Sequence, residues 1–237
     1  MKFPLLKRLR LRQPAVMRIL IATVTAGGGH IAAAAAVEEA WRAARPEDLI
    51  ERLDLVKLFS PLHKKIHEDG YVKLIELAPE LWGMIFGKTD HPKVAQQMNK
   101  LRRAFPSNSC NKFVRHLKQF KPDVVVCTHY LPLETLGLLR HKQKSPQPLV
   151  VSVVTDFEAH ALWMDECVDL YCVATEGTKA RLVARGAAAE NVVPTGIPIA
   201  AKFLSKPDAK AVRKNCGLRG DQPVLLDRKS TRLNSSH

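Results

Sequence analysis

Two stretches of the chain, with two shorter ones, combine residue types that can bind or activate a ligand. The first is Thr25-Ala26-Gly27-Gly28-Gly29-His30-Ile31-Ala32. Consecutive glycines let the backbone approach a ligand closely, and a helix starting there offers free N–H groups and a positive dipole end. His30 sits inside this turn, and an imidazole with an ordinary pKa of ~6.5 can take a proton from an alcohol near neutral pH. Gly27-x-Gly29-x-x-Ala32 also fits a loose dinucleotide fingerprint, with Glu51 or Asp54 near the place of a ribose-binding acid. A histidine that merely caps the helix is the structural alternative.

The second stretch is Val153-Val154-Thr155-Asp156-Phe157-Glu158-Ala159-His160-Ala161-Leu162-Trp163. Thr155 and Asp156 fall just past an apolar run. Asp156 can act as a base or hold a sugar hydroxyl, while His160 and Trp163 are placed to line an acceptor cleft. Against this, Asp156 can cap the following turn and Trp163 can belong to the core. His129 and Tyr130 follow another apolar run, and the turn Thr195-Gly196-Ile197-Pro198 offers a backbone amide at Gly196.

Positioning such residues together requires a parallel sheet, and the chain reads as one. Met17–Val24 is a β-branched apolar run, Ile31–Ala44 an alanine-rich helix bounded by Pro46, and Leu49–Val56 a second strand. This βαβ start implies parallel pairing, with ligands at the C-terminal edge of the strands. Asp123–Cys127, Leu149–Val154, Asp169–Ala174 and the short Val192–Val193 continue the sheet, with helices over Leu133–His141 and Gly177–Arg185. A short helix is expected over Ala209–Cys216 and a further strand from Pro223 to Leu226. Between Leu58 and Phe120 the pattern is helical, broken by Gly70, Pro79, Gly83, Gly87, Pro92 and Pro106.

The 237 residues carry 37 Lys+Arg against 23 Asp+Glu, a net charge of +14, and this excess is concentrated. Residues 1–12 hold five positive charges and no acid; residues 57–121 hold thirteen Lys/Arg and five Asp/Glu, a net of +8. Such a face suits an anionic partner, a membrane surface or nucleic acid, or else simply solubilises the chain. Within Lys64–Phe86, Tyr71, Pro79 and Trp82 alternate with Lys64, Lys65 and Lys73, and Lys88 follows. Aromatic and apolar residues beside lysines suit a membrane interface, and equally suit amphipathic helices packed on a sheet. The 46% hydrophobic content excludes general disorder, and no run approaches the ~20 apolar residues of a membrane-spanning helix. Five cysteines without a Cys-x-x-Cys pair argue against a disulfide scaffold or zinc ribbon and for a reducing cytoplasm. The basic N-terminus lacks the features of a signal peptide.

Taken in order, these segments resemble the N-terminal domain of the monogalactosyldiacylglycerol synthase and processive diacylglycerol glucosyltransferase family. The matching features are Gly27-Gly28-Gly29-His30 with Ala32 to Ala36, and Tyr71…Pro79-x-x-Trp82. They continue with Lys121-Pro122-Asp123, Val154-Thr155-Asp156-Phe157…His160…Trp163, Asp169-x-Tyr171-x-Val173 and Thr195-Gly196-Ile197-Pro198. The resemblance implies the N-terminal half of a GT-B glycosyltransferase, a Rossmann-like parallel sheet with flanking helices and a helical insert. It implies a metal-independent, inverting enzyme without a cofactor, bound peripherally to the cytoplasmic side of the membrane. Such an enzyme moves galactose or glucose from a UDP-sugar to diacylglycerol. By the resemblance His30 is the base or part of the site that accepts the sugar. From the residues themselves, Asp156 is the other catalytic candidate, with Gly27–Gly29, His129, Tyr130, Thr155, His160, Trp163 and Gly196 as substrate contacts.

The domain expectation is a basic extension over 1–16 and an acceptor domain over 17–226. The polar residues 227–237 interrupt an apolar strand and read as non-native, with a C-terminal UDP-sugar domain missing and transfer activity lost with it. Two other functions fit parts of the sequence. One is a nicotinamide-type oxidoreductase built on the glycine turn; the other is a basic nucleic-acid-binding module. The long insert argues against the first, and 6% aromatic content with no recognisable reading motif argues against the second.

Overall fold

A computed structural model describes residues 16–25, 28–59, 80, 83–84, 87, 90, 94, 97, 108–142, 147–220 and 222–225. Gly27 and the interface residues Lys64, Lys65, Tyr71, Lys73, Pro79, Trp82 and Lys88 lie outside the described residues, as does the tail 227–237.

In chain order the elements of the sheet domain are β1 (Arg18–Thr23), α1 (Gly28–Ala44), β2 (Leu49–Asp54), α2 (Asn108–Phe120) and β3 (Val124–Cys127). After them come α3 (Leu131–Lys142), β4 (Leu149–Val153), β5 (Leu170–Val173), α4 (Glu176–Ala184) and β6 (Val192–Pro194). The six strands form one sheet in the order β2-β1-β3-β4-β5-β6, and all five pairings are parallel. The expected Rossmann-like α/β architecture is therefore present.

The near-continuous apolar character of the strands follows from burial on both faces. Leu20, Ala22, Val125, Cys127 and Val173 face one side, packed with Phe113 and Leu117 of α2, Leu133 and Leu136 of α3, and Leu182 of α4. Their neighbours Ile19, Ile21, Val124, Val126 and Val151 face the other, against Ala34 and Trp41 of α1. The alanines of α1 let that helix lie close to the sheet.

An aspartate stands immediately before each of β2, β3 and β5, and its carboxylate takes an amide near the start of the adjacent strand. Asp48 accepts Met17 N–H at 2.9 Å, Asp123 accepts Arg18 N–H at 2.7 Å and Asp169 accepts Val150 N–H at 2.8 Å. These bonds fasten the N-terminal edge of the sheet. Asp48 does most, since it also accepts the Trp41 indole at 2.8 Å and Arg45 at 2.7 Å and has no exposed side-chain surface. Burial pushes its carboxyl up, but Arg45, the indole and the Met17 amide outweigh burial and hold it below its ordinary value.

Two expectations are corrected. The second strand ends at Asp54 rather than Val56, because the Asp54 carboxylate accepts Val56 N–H at 3.1 Å and starts a 3-10 turn over Leu55–Leu58. Residues 223–225 form no strand: they pair with no neighbouring strand among the described residues, and Leu225 is 96% exposed. These residues belong to a separate compact unit, Lys202–His237. Its helix α5 (Ala209–Asn215) is capped by Asp208 and has no buried residue.

Asp48→Ala is expected to lower the unfolding free energy by about 3 kcal/mol, because it leaves Arg45 and two N–H donors without their acceptor. Urea denaturation at pH 7 measures this loss. Asp48→Asn keeps an acceptor and loses less. A carboxyl held low contributes stability above its unfolded pKa of ~3.9, and that contribution is lost as pH falls through the folded value. The gap between wild type and Asp48→Asn therefore closes in acid.

Candidate active site

The chain leaves β1, forms β2 on one side, and returns to place β3 on the other side of β1. The C-terminal ends of β1 and β3 thus flank the topological switch point, where open parallel sheets leave a crevice for ligands. The segment leaving β1 is held by Asp54 at the end of β2. Thr25 N–H donates to Asp54 Oδ1 at 3.1 Å, and the Thr25 hydroxyl bonds Oδ2 of the same carboxylate. Helix α1 begins at Gly28, which puts His30 in its first turn.

The His30 ring is gripped from two other strand ends. Its Nδ1 lies 2.9 Å from the Thr128 carbonyl, just past β3, and 2.8 Å from Thr155 Oγ1, just past β4. Thr128 Oγ1 lies 3.1 Å from the His30 carbonyl and 2.9 Å from Thr23 Oγ1. The Thr128 hydroxyl is the donor toward both the His30 carbonyl and Thr23 Oγ1. Nε2 of His30 has no partner among the described residues, so it is the nitrogen available to a ligand. His30 therefore does more than cap a helix.

Other expected residues gather here. The His129 ring meets His30 edge-on at 4.7 Å and stacks on Tyr130 at 4.3 Å, while Trp163 lies 6.4 Å from His30. Asp156 Oδ2 accepts the Trp163 indole N–H at 2.7 Å, and Oδ1 has no partner among the described residues. Among the described residues, a Cβ at Gly28 or Gly29 would meet nothing within 4 Å, so packing against them does not require either glycine. Both are exposed, with space above them for a ligand.

Three expectations need correction. Trp163 is only 1% exposed, so it forms the floor beneath these rings and presents no wall to a cleft. His160 is 4% exposed and caps the 3-10 turn Ala161–Trp163, its Nδ1 accepting Leu162 N–H at 3.1 Å. Gly196 adopts φ +81°, as its turn requires, but its amide is spent inside the fold. Both Thr195 N–H and Gly196 N–H donate to the Val173 carbonyl, at 3.0 and 3.1 Å.

Thr23, Thr128 and Asp90 escaped sequence reasoning. A signal existed for Thr128: β1, β3, β4, β5 and β6 are each followed within two residues by a threonine, Thr25, Thr128, Thr155, Thr175 and Thr195. Asp90 had none. It accepts Ala161 N–H at 2.9 Å and Arg185 at 2.6 Å, and faces His160 Nε2 at 3.8 Å. Burial pushes its carboxyl up, but the Ala161 amide and Arg185 outweigh this and hold it low. Asp90 thereby fixes the loop that carries Asp156 and Trp163.

The acids needed by the dinucleotide reading are committed elsewhere. Asp54 serves Thr25 and Val56, and Glu51 lies 3.1 Å from His116 Nε2. Among the described residues no group of three or more His, Cys, Asp or Glu is arranged to hold a metal ion, and no helix is long and apolar enough to cross a membrane.

A parallel sheet that gathers an imidazole, a carboxylate and a helix N-terminus at its switch point has the architecture of a Rossmann-like domain. More narrowly, the chain belongs to the monogalactosyldiacylglycerol (MGDG) synthase family, whose model matches residues 30–199. It is 30% identical over 210 residues to a processive diacylglycerol beta-glucosyltransferase of Bacillus cereus strain B4264, covering 88% of this chain and 52% of that protein. The protein of the same description from Bacillus mycoides strain KBAB4 is 31% identical over the same shares. The chain thus spans about half the length of these curated relatives. Among solved structures it is similar to the apo lipopolysaccharide outer core galactosyltransferase WaaB (TM-score 0.44, 17% identity, 75% of this chain and 44% of that one). Anabaena HepE with UDP and glucose is more distant (TM-score 0.38, 10% identity, 85% and 50%).

Gly28→Ala and Gly29→Ala are expected to leave thermal stability unchanged or to raise it slightly, by up to about 1 kcal/mol, because alanine restricts the unfolded chain and clashes with nothing. Thermal melts of the two variants decide this. A clear loss of stability would mean that the glycines serve the fold and leave no ligand space.

Proposed function

We propose that this chain is the acceptor half of a GT-B hexosyltransferase that transfers galactose or glucose from a UDP-sugar to diacylglycerol. The observation that carries the reading is His30, with Nδ1 engaged and Nε2 open at the switch point, in a member of the MGDG synthase family. In this mechanism Nε2 takes the proton of the glycerol hydroxyl as its oxygen attacks the anomeric carbon. The bond from that carbon to the diphosphate breaks, and UDP leaves with the electron pair. The free amides and dipole of the α1 N-terminus lower the energy of the charge developing on the diphosphate. Asp156, through Oδ1, holds a substrate hydroxyl or serves as an alternative base. A second α/β domain following this one would carry most of the UDP-sugar, and without it these residues alone would turn over little substrate. No metal or cofactor takes part.

In the two-domain enzyme, His30→Ala is expected to reduce the rate by about 10²–10⁴, the usual contribution of a positioned general base, without loss of folding. His30→Gln, which cannot take up the proton, should stay slow. Near-normal turnover by His30→Gln would move the base to Asp156, and full activity of both variants with an unchanged pH profile would remove this loop from catalysis.

The basic segments support a second part of the proposal, peripheral attachment to anionic lipid on the cytoplasmic side of the membrane. The net +8 over residues 57–121 and the five positive charges of residues 1–12 motivate it. Each Lys or Arg near such a surface contributes roughly 1 kcal/mol. The chain should co-sediment with phosphatidylglycerol vesicles and release them as salt rises. Equal binding to purely zwitterionic vesicles at low and high salt would exclude the electrostatic mechanism.

A further inference from the structure

The two contacts on His30 Nδ1 have a chemical consequence. The Thr128 carbonyl at 2.9 Å cannot donate, so a proton on Nδ1 is the only arrangement that makes this contact attractive. The opposite tautomer would point a nitrogen lone pair at a carbonyl oxygen. With the proton on Nδ1, Thr155 Oγ1 at 2.8 Å must accept as well, and the N–H is shared between two oxygens. Both acceptors are neutral. When Nε2 is protonated the ring becomes an imidazolium, its Nδ1–H bonds become charge-assisted, and each strengthens.

We infer that Thr155 is a positioning residue for His30: with the Thr128 carbonyl, its hydroxyl holds the imidazole in the Nδ1–H tautomer, leaving Nε2 as the proton acceptor. Its catalytic consequence rests on the function proposed above; the tautomer does not. The loop that carries Thr155 is itself fixed, because Asp156 binds the buried Trp163 indole and the Phe157 carbonyl accepts the Thr178 hydroxyl at 2.7 Å. Among the described residues, the titratable groups around the ring are His129 and Tyr130 after β3, Asp156 after β4, and Asp54 at the end of β2, which is tied to Thr25. Of these, His129 Nδ1 accepts Leu131 N–H at 3.0 Å.

The test has two arms. In the 237-residue chain, ¹⁵N NMR of the His30 ring should report the Nδ1–H tautomer. Thr155→Val should move its titration to lower pH, because the imidazolium loses one acceptor, and Thr155→Ser should restore the wild-type behaviour. In the two-domain enzyme, Thr155→Val should lower kcat about tenfold with KM little changed, one charge-assisted hydrogen bond being worth roughly that factor. The acid limb of its pH profile should move to lower pH, and Thr155→Ser should recover most of the rate. An Nε2–H tautomer in wild type, or a Thr155→Val titration identical to wild type, overturns the inference. Where Thr155→Val fails to fold, the wild-type tautomer and the Thr155→Ser titration decide alone. If the NMR arm succeeds while His30→Ala keeps full transferase activity, the positioning role stands and the functional reading falls.

Discussion

The parallel pairing of β1 with β3 is the constraint on which the rest of the molecule depends. Residues Ile19 to Ala22 align with Val124 to Cys127, and this register brings Thr23, His30 and Thr128 to one end of the sheet. A shift of β3 by one residue would exchange its two faces, moving Val125 and Cys127 from the α2–α4 side onto α1. It would also separate the Thr128 hydroxyl from the His30 carbonyl. Core packing and site geometry are therefore fixed by the same alignment, and the site inherits the rigidity of the most buried part of the fold.

The two edges of the sheet are finished with different chemistry. At the N-terminal edge, Asp48, Asp123 and Asp169 accept amides that a parallel sheet leaves without partners, and cations at Arg45 and Arg140 answer two of the three carboxylates. At the C-terminal edge the recurring residue is threonine, neutral and short. Threonine hydroxyls can donate and accept at once, so these residues bond that edge without adding fixed charge. Asp54 and Asp156 are carboxylates there, and each is engaged, by Thr25 and by Trp163. Ion pairs serve both sides, since Asp90 with Arg185 ties the loop that carries Asp156 and Trp163.

Much of this was legible in the sequence. The strands appeared as apolar runs because both of their faces are buried, and the glycine turn and His30 stood out because they break the pattern between β1 and α1. The convergence of Thr155 and Asp156 with His30 followed once a parallel sheet was inferred. Pairwise detail was not legible. The Gly196 amide is spent on Val173, and His160 caps a turn, because neighbouring groups left by the chain's path claim them. Nothing local to Asp90 marks it as the partner of Arg185, 95 residues away. Thr128 was overlooked for another reason: a threonine after a strand carries no chemistry until a histidine carbonyl is found beside it.

The neutral surroundings of His30 bear on what kind of base it can be. A carboxylate on Nδ1 would add a full negative charge beside the ring and strengthen it as a base through Coulomb attraction. Two oxygens without charge orient the ring and fix its tautomer without that Coulomb attraction. Such a ring keeps Nε2 as the nitrogen that can receive a proton. It also adds no negative charge to a crevice whose helix amides and dipole favour an anion. The positive end of α1 and the uncharged partners of His30 are thus compatible within one turn of helix. A charged partner on Nδ1 would set the two features against each other.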